Sequence, residues 1–442
     1  MYSAAYRKIE DTALRLQRID PGLSEIFQKC YPNTLETTVE WCDDGTSFVI
    51  TGDIPAMWLR DSSAQVRPYI QLATDDQDVR RLIRGVIERQ ARYLIFDPYA
   101  NAFNKEPNGQ GHKGDLTVKG PWVWERKYEL DSLCYPVQLC WEYWEATQDR
   151  MIFTETVHTM FHRIIEVMHK EQRHDRDSSY SFERTDCPSS DTLPFGGRGT
   201  RTNDTGMIWS GFRPSDDACK FGYLIPSNMF AVVILRYIGR LAKEIYHDHG
   251  LSESAYKLSE EVEFGIETYG KIKHPVYGWI YAYETDGFGN YNLMDDANVP
   301  SLLSIPYLGY RDLNDPVYRN TRNFVLSPEN PHYSSGRFAQ GVGSPHTPSG
   351  HVWPIALIIQ GLTSNDPSEQ DALVRMLTST TAGTGYMHES FHPDKPDTFT
   401  REWFAWANSL FGEFICKWLD RKLEYGKVVG TFDASIQEED LP

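Results

Sequence analysis

Apolar residues recur at helical spacing through almost the whole chain, and polar loops separate these periodic segments. The spacing predicts helices near residues 4–29, 62–73, 76–95, 128–147, 151–172, 225–248, 251–270, 299–309, 313–326, 351–362, 367–381 and 404–422. Two kinds of loop alternate along this series. The short, polar links are Ala73–Asp75, Thr147–Arg150, His249–Leu251, Gly309–Leu313 and Thr363–Glu369. The links before the helices at 62, 128, 225, 299, 351 and 404 are long and rich in Trp, Gly, Asp and Arg.

This alternation predicts an all-α (α/α)6 toroid that forms a single domain over residues 1–442. If helices pair as antiparallel hairpins, every second loop lies at the same end of the ring. The long loops then meet at one mouth, at the N-terminal ends of the inner helices, and the last inner helix pairs with the N-terminal helix. An open solenoid would show a regular sequence repeat, and this chain shows none. Small β-hairpins are expected within the long loops, at Val39–Val49 around Asp44-Gly45 and at Trp279–Tyr291 around Asp286-Gly287.

Composition and charge indicate which binding partners and which cellular compartment to expect. The net charge of −18 argues against nucleic acid and against anionic membrane surfaces. Acidic residues are dispersed, except in a short acidic tail at about 430–442 that includes Gln437–Asp440. No apolar run reaches the ~18 residues of a membrane span, and the N-terminus lacks a signal-peptide core. Seven cysteines without zinc-type spacing are typical of reduced thiols, so the sequence predicts a cytoplasmic protein.

The six long loops carry the candidate chemistry. The first contains TGDIPAMWLRDS, in which Arg60 and Asp61 stand beside Trp58. A forked donor, a carboxylate and an aromatic face suit a neutral polyhydroxyl ligand. The other loops repeat this mixture of carboxylates, cations, histidines and aromatic residues. The candidate substrate-binding residues are Trp58, Arg60, Asp61, Trp124, Glu125, Lys127, Tyr128, Arg213, Asp217, Asn298, His346, Thr347, His388 and Trp406.

Many polar residues of these loops also have a purely structural interpretation. An Asp at the end of a loop is often a helix N-cap, which applies to Asp131, Asp216, Asp217 and Asp296. The histidine pairs His158/His162, His247/His249 and His388/His392 have ligand-like spacing. The first two pairs lie away from the long loops, and Pro393, which follows His392, disfavours a helical site at the third pair. The glycine-rich stretches follow no strand of a βαβ unit and lack GK[ST]. No metal and no cofactor is therefore predicted.

A pit lined by carboxylates and aromatic residues favours glycoside hydrolysis. One carboxylic acid must protonate the leaving oxygen, and a second carboxylate must activate water or attack directly. Asp216 and Asp217 are adjacent acids whose repulsion is expected to keep one of them protonated near neutral pH. Glu389 lies three loops away out of six, which places it across the pit from Asp216 and Asp217.

Several blocks resemble family 125 of the glycoside hydrolases. They are TGDIPAMWLRDS, NAFNKEPNG, PWVWERKYELDSLCYP, GMIWSGFRPSDDAC, YAYETDGFGNYNLMDDANVPSLLSIPYLGY, GSPHTP, AGTGYMHESFH and FTREWFAWANSLF, which span residues 51 to 411. The resemblance implies an (α/α)6 fold and a metal-independent, inverting exo-α-1,6-mannosidase. It also implies a general acid from the SDD segment, assigned to Asp216 with Asp217 as the alternative, and a general base at Glu389. Arg60 and Asp61 are similar to the family's grip on the terminal mannose.

The expected substrates are manno-oligosaccharides or N-glycan fragments with a terminal α-1,6-linked mannose at the non-reducing end. Another (α/α)6 enzyme, such as a phosphorylase, an epimerase or a glucosidase, is the first alternative. A phosphorylase would need a cationic phosphate pocket, for which Arg60, Lys127 and Arg213 are available. A non-catalytic sugar-binding protein is the second alternative. The sequence indicates no oligomeric state.

Overall fold

The computed structural model describes residues 1–429, and the acidic tail lies outside these described residues. Helices dominate the chain. In order they are α1 Ser3–Gln17, α2 Pro21–Cys30, α3 Asn33–Thr37, α4 Leu59–Val66, α5 Gln77–Phe96, α6 Leu130–Thr147, α7 Glu155–Glu171, α8 His174–Asp177, α9 Pro194–Gly197, α10 Ile225–Leu241, α11 His249–Tyr269, α12 Pro316–Val325, α13 Pro354–Leu362, α14 Pro367–Ser379 and α15 Ala405–Val429. Helix α4 continues as a 3₁₀ helix over Arg67–Thr74, and α10 continues as a π-helical turn over Ala242–Tyr246.

The helices form the two layers of an (α/α)6 ring. Helices α4, α6, α10, α13 and α15 are the inner ones, and α15 contacts α4 to close the circle. Helix α15 also packs on α2, as predicted for the last inner helix and the N-terminal segment. The outer layer contains α2, α5, α7, α11, α12 and α14. The inner helices are buried on most sides; α10, for example, buries every residue from Ile225 to Leu235.

One predicted inner helix is absent. Residues 302–309 form consecutive turns instead of the helix predicted near 299–309. Pro306 has no N–H to donate within a helix, and Gly309 has φ +83°. The backbone N–H groups of Leu302 and Leu303 donate to the Asp295 carboxylate, at 2.8 and 3.0 Å. These hydrogen bonds to a loop replace the helical ladder, so the fourth inner position is an irregular segment.

The N-terminal segment also departs from the prediction. A single helix over 4–29 was expected, whereas the chain forms α1 and α2 with a break between them. Pro21 cannot continue a helix but suits the first helical position, and Asp20 caps α2 by accepting from the Leu23 N–H at 3.1 Å.

Short antiparallel strands occupy the loops. They pair as Val39–Trp41 with Ser47–Val49, Lys271–His274 with Gly278–Tyr281, Tyr333–Ser335 with Gln340–Val342, and Ser390–His392 with Lys395–Thr400. There are also two three-stranded sheets. The first contains Met57–Trp58, Ala102–Phe103 and Val123–Glu125, and the second contains Tyr223–Leu224, Glu284–Thr285 and Tyr291–Asn292. The hairpin around Asp44-Gly45 is confirmed. In the second predicted hairpin only Glu284–Thr285 and Tyr291–Asn292 pair, while Trp279 belongs to the preceding hairpin. Within residues 1–429, no helix combines the length and the apolar character that crossing a bilayer requires.

Candidate active site

A small pit opens at the end of the ring where the inner helices begin. It encloses about 420 Å³, including its open mouth. Its wall is made by the first, third, fourth, fifth and sixth long loops. The residues that line it are Thr51, Ile54, Trp58, Arg60, Asp61, Pro214, Ser215, Asp216, Asn298, His346, Trp353, Glu389, Arg401, Phe404 and Trp406. Asp216 and Glu389, the two predicted catalytic carboxyls, therefore face the same pit.

Arg60 organises the carboxyl groups on one side of the pit. A short sheet holds it in place, because Trp58 pairs with Ala102 and the next residue begins α4. The Arg60 Nη1 donates to Glu129 Oε2 at 2.7 Å and to Asp131 Oδ2 at 3.3 Å. Its Nη2 lies 3.4 Å from Asp216 Oδ1, and its Nε lies 3.5 Å from Asp61 Oδ2. One buried guanidinium thus faces four carboxyl groups from three segments of the chain.

Asp216 reaches the pit from a tight turn. The Asp216 N–H donates to the Arg213 carbonyl at 2.9 Å, and the Arg213 N–H donates to the Asp217 carbonyl at 2.8 Å. Asp216 itself has φ +68°, a left-handed conformation that is uncommon outside glycine and that clusters at functional sites. The buried Lys127 ammonium fixes the turn by donating to the Asp216 carbonyl at 2.8 Å. This geometry leaves 29% of the Asp216 side chain exposed at the pit.

The expected repulsion between Asp216 and Asp217 does not control protonation here. Burial disfavours the charged form of Asp216, but Arg60 and Lys127 outweigh burial and hold its pKa well below the ordinary value. Burial instead raises the pKa of Glu129 well above its usual range, and it raises the pKa of Asp131 to about 6. Four carboxyl groups around one guanidinium favour retention of a proton within the cluster.

The carboxyls considered as helix caps do not cap helices in the structure. The N-cap residue of α6 is Glu129 and that of α10 is Leu224, and neither makes a side-chain cap bond. Asp131 bonds to Arg60, whereas Asp296 accepts from the Ser215 Oγ at 2.7 Å. Side chains from other loops hold these acids in place, so the loops are linked to one another around the pit.

Glu389 faces the pit from the sixth loop, just before the strand Ser390–His392. Its N–H donates to the Thr400 carbonyl at 3.2 Å, so the hairpin fixes its backbone. Arg401 Nε lies 3.5 Å from Glu389 Oε1 and 3.5 Å from Asp53 Oδ2. Glu389 is only 8% exposed, so its carboxyl is available to a small ligand in the pit but sheltered from bulk water.

His346, from the fifth loop, contributes a cation to the wall of the pit. Its Nδ1 lies 3.2 Å from Asp217 Oδ1. Partial burial disfavours the charged imidazolium, but the hydrogen bond to Asp217 and the charges of Asp216 and Glu389 outweigh it and raise the pKa of His346 to about 9. The ring is therefore protonated at neutral pH, and Asp217 is its partner.

Besides Arg60, whose Nε makes no hydrogen bond in the described part of the chain, two pit residues carry buried polar groups without a protein partner. The Trp58 indole Nε1 and the Asn298 amide Nδ2 have no hydrogen bond within the described residues. Buried donors are normally satisfied, so these groups mark positions where a ligand or water would accept hydrogen bonds. Together with the Trp406 ring they fit a ligand that has both hydroxyl groups and an apolar face.

Several predicted substrate contacts lie behind the wall instead of on it. Tyr128 is in the core, where its ring stacks on Trp209. Glu125 pairs with Arg184 at 2.7 Å, and Arg213 pairs with Glu284 at 2.6 Å. Buried ion pairs hold Glu125 and Arg213, and neither these two residues nor Tyr128 lines the pit, so their contact with a sugar stays a prediction.

The remaining predicted contacts hold pit residues in place. Lys127 donates to Asp191 and to the Asp216 backbone, while Thr347 Oγ1 accepts from the Trp353 indole at 2.8 Å. The buried His388 ring stacks on Phe399. Trp124 packs beside Trp58 in a small apolar cluster. The second long loop therefore supports the pit without lining it.

Seven of the residues that line the pit were not predicted as site residues from the sequence. They are Thr51, Ile54, Pro214, Ser215, Trp353, Arg401 and Phe404. Arg401 is the important omission, because it pairs with Glu389 across a hairpin. The available signal was its position next to Glu402-Trp403, directly before the last inner helix, which matches the Arg60-Asp61 pattern of the first loop.

Comparison with known proteins identifies the family of this chain. A model of the family described as metal-independent α-mannosidase (GH125) matches residues 20–416, and the chain belongs to this family. The meiotically up-regulated gene 157 protein of Schizosaccharomyces pombe is 42% identical over 436 residues, which cover 94% of this chain and 85% of that protein.

Similar solved structures include one metal-independent α-mannosidase and more distant glycosidases with the same fold. A Streptococcus pneumoniae metal-independent α-mannosidase, in a non-productive complex with α-1,6-mannobiose, is 45% identical with a TM-score of 0.92. The match covers 94% of this chain and 98% of that one. A bacterial glucoamylase complexed with acarbose is 14% identical with a TM-score of 0.53, over 90% of this chain and 55% of that one, and shares the fold.

Proposed function

We propose that this GH125 α-mannosidase removes terminal α-1,6-linked mannose from the non-reducing end of manno-oligosaccharides or N-glycan fragments, with inversion at the anomeric carbon. The observation that carries the proposal is the convergence of Asp216 and Glu389, from the third and sixth loops, on one small pit that also contains Arg60 and Asp61. Glycoside hydrolysis with inversion requires two carboxyl groups on opposite sides of the scissile bond, with space for water between them.

In this mechanism Asp216 acts as the general acid. It donates a proton to the glycosidic oxygen as the bond to the anomeric carbon breaks. Glu389 accepts a proton from a water molecule, and the water oxygen attacks the anomeric carbon from the opposite face. The product is β-mannose. Arg401 beside Glu389 orients that carboxylate, and aromatic residues such as Trp58 and Trp406 cover the apolar face of the sugar.

The carboxyl cluster around Arg60 supplies the acid's proton. In the free site the low pKa of Asp216 keeps it ionised, whereas Glu129 beside it holds a proton because its pKa is raised. A bound sugar covers the exposed part of Asp216 and removes the water that stabilises its charge. Desolvation favours the neutral carboxylic acid, so the proton moves from Glu129 to Asp216 before the leaving oxygen is protonated. Glu129 is thus a positioning residue and Asp216 the catalytic acid.

The size of the pit supports removal of one sugar at a time. A volume of about 420 Å³, open mouth included, leaves little room beyond a single hexose and part of the next one. The proposed linkage draws on the related S. pneumoniae enzyme, whose complex contains α-1,6-mannobiose and which is 45% identical to this chain.

Phosphorolysis is less well supported, because the cations that could bind phosphate are already paired. Arg60 bonds to Glu129 and Asp131, Arg213 pairs with Glu284, and Lys127 contacts Asp191. An entering phosphate dianion would add charge to a cluster in which carboxylates already outnumber cations.

The direct test follows the anomeric proton signals while the protein hydrolyses α-1,6-mannobiose, with EDTA and without phosphate. The expected result is β-mannose as the first product. Initial α-mannose would contradict inversion, and activity confined to α-1,2- or α-1,3-mannobiose would contradict the linkage. A requirement for phosphate would favour the phosphorylase alternative.

Two isosteric substitutions test the catalytic pair. Asp216→Asn and Glu389→Gln should each lower kcat by about 10²–10⁴-fold while ligand binding is retained, because the amides keep the shape but transfer no proton. Asp217→Asn is the matched control for the choice between adjacent acids. A larger loss in Asp217→Asn than in Asp216→Asn would exchange their roles.

We also place the reaction in the cytoplasm. The seven cysteines are all free thiols, which suits a reducing compartment. Fractionation of cells that express the native protein would test this placement, and recovery in the secreted fraction would contradict it.

A further inference from the structure

Two histidines and an aspartate converge at the end of the ring opposite the pit. His158 and His162 lie one turn apart in the first half of the outer helix α7. Asp248 lies in the short link between the π-helical turn and α11, where it forms the N-cap of α11. The pit lies where the inner helices begin, whereas this link follows the end of the inner helix α10. The cluster is therefore separate from the catalytic machinery.

The geometry of this cluster is that of three ligands around one point. His158 Nε2 lies 3.1 Å from Asp248 Oδ2, and His162 Nε2 lies 3.0 Å from the same oxygen. The three ligand atoms are all within 4.8 Å of one another. Ligands about 2.0–2.1 Å from a tetrahedral Zn²⁺ stand about 3.4 Å apart, which is close to the two measured separations.

The surroundings hold each ligand in place. Asp248 Oδ1 accepts from the Leu251 N–H at 2.9 Å, so the helix cap occupies one oxygen and leaves Oδ2 directed at the histidines. The His158 ring stacks on Tyr246 with a centroid distance of 4.3 Å and an interplanar angle of 10°. Histidines at positions i and i+4 of a helix share one face, so both rings point toward the same neighbour. Such constraints on ligand orientation increase metal affinity.

We propose that His158, His162 and Asp248 form an accessory site for a divalent transition-metal ion, represented by Zn²⁺, that ties α7 to the start of α11. Two imidazole nitrogens and one carboxylate oxygen suit Zn²⁺, and the half-exposed position of His162 leaves the remaining coordination to water. The site is structural and plays no part in sugar hydrolysis. It is independent of the proposed specificity for α-1,6-linked mannose.

The test is titration of EDTA-stripped, full-length protein with Zn²⁺ near neutral pH, followed by calorimetry and by the melting temperature. The expected result is one saturable Zn²⁺ per chain and a higher melting temperature in the presence of the ion. His162→Ala should weaken binding at least about tenfold and remove the thermal effect, because it deletes one ligand. His249→Ala, an exposed histidine next to Asp248, should bind like the wild type.

A second variant separates the metal ligand from the helix cap. Asp248→Asn keeps a good N-cap but replaces the carboxylate with a weaker amide ligand. It should melt near the wild-type temperature without Zn²⁺ and lose most of the stabilisation that Zn²⁺ gives. Absence of saturable binding to the wild type, or equal Zn²⁺ affinity in wild type and His162→Ala, would overturn the proposal.

Discussion

The protonated His346 gives the protein a pH-dependent stability that can be measured. Asp217 lies 3.2 Å from His346, and the charges of Asp216 and Glu389 add to the attraction. These groups raise the pKa of His346 from 6.5 to about 9 in the folded protein. His346→Gln removes the charge but keeps a side chain that can hydrogen-bond to Asp217, so the substitution isolates the electrostatic contribution.

The size of the effect follows from this shift. A rise from 6.5 to about 9 corresponds to about 3 kcal/mol when the group is fully shielded from solvent. Since 35% of the His346 side chain is exposed, solvent screening reduces the expected contribution to about 1–2 kcal/mol. The sign is fixed by proton uptake, because the folded state binds the proton more tightly than the unfolded chain. The stabilisation is therefore complete below about pH 6.5 and disappears as the pH rises through about 9.

The assay compares urea denaturation of wild type and His346→Gln over a range from about pH 6 to about pH 10. The difference in unfolding free energy should be largest at the acidic end and vanish at the alkaline end. His249→Gln, which changes an exposed histidine far from the pit, should show no such trend. A difference that is constant with pH, or that grows as the pH rises, would refute the assignment of a protonated His346.

Three further substitutions test the carboxyl cluster, the general base and the ring. Glu129→Gln should lower kcat and move the alkaline limb of the pH–rate profile to lower pH, because Asp216 loses its proton source; an unchanged limb would contradict this role. Arg401→Gln should lower kcat by about 10- to 100-fold with a smaller change in KM, as Glu389 loses its orienting partner; equal changes in both constants would indicate a binding role. Gly412→Ala should destabilise the fold by about 1–3 kcal/mol, since the added Cβ would stand 1.9 Å from Tyr31 Cδ2 where α15 closes on α2. Gly120→Ala meets open space and is the control for that measurement by thermal denaturation.

Helical periodicity was sufficient to predict the ring because most inner helices are buried on nearly all sides. Helices such as α6 and α10 have long apolar runs that only a core position satisfies. The same signal failed at 299–309, where apolar residues are equally frequent but Pro306 and the Asp295 carboxylate direct the chain into turns. Periodicity reports burial, and it does not report whether backbone hydrogen bonds are made within the segment or with a distant loop.

The sequence predicted which loops line the pit more reliably than which side chains face it. Lys127 and Arg401 are both loop cations next to acidic and aromatic residues, so local composition does not distinguish which of them lines the pit. The structure places Lys127 behind the pit, on the Asp216 backbone, and Arg401 within it, beside Glu389. The difference arises from hairpin register and turn conformation, which pair residues far apart in the sequence and cannot be deduced from either loop alone.

The electrostatics of Asp216 illustrate why local sequence is a poor guide to protonation. Its adjacent acid, Asp217, is directed toward His346, so repulsion between neighbours in the chain does not set its charge. The groups that lower its pKa most are Arg60, Lys127 and Glu129, which come from the first and second loops. Their combined effect lowers the pKa of Asp216, whereas burial raises the pKa of Glu129. In the proposed mechanism Asp216 is ionised in the free enzyme and acquires its proton when substrate excludes water, which makes proton transfer within the buried cluster part of substrate recognition.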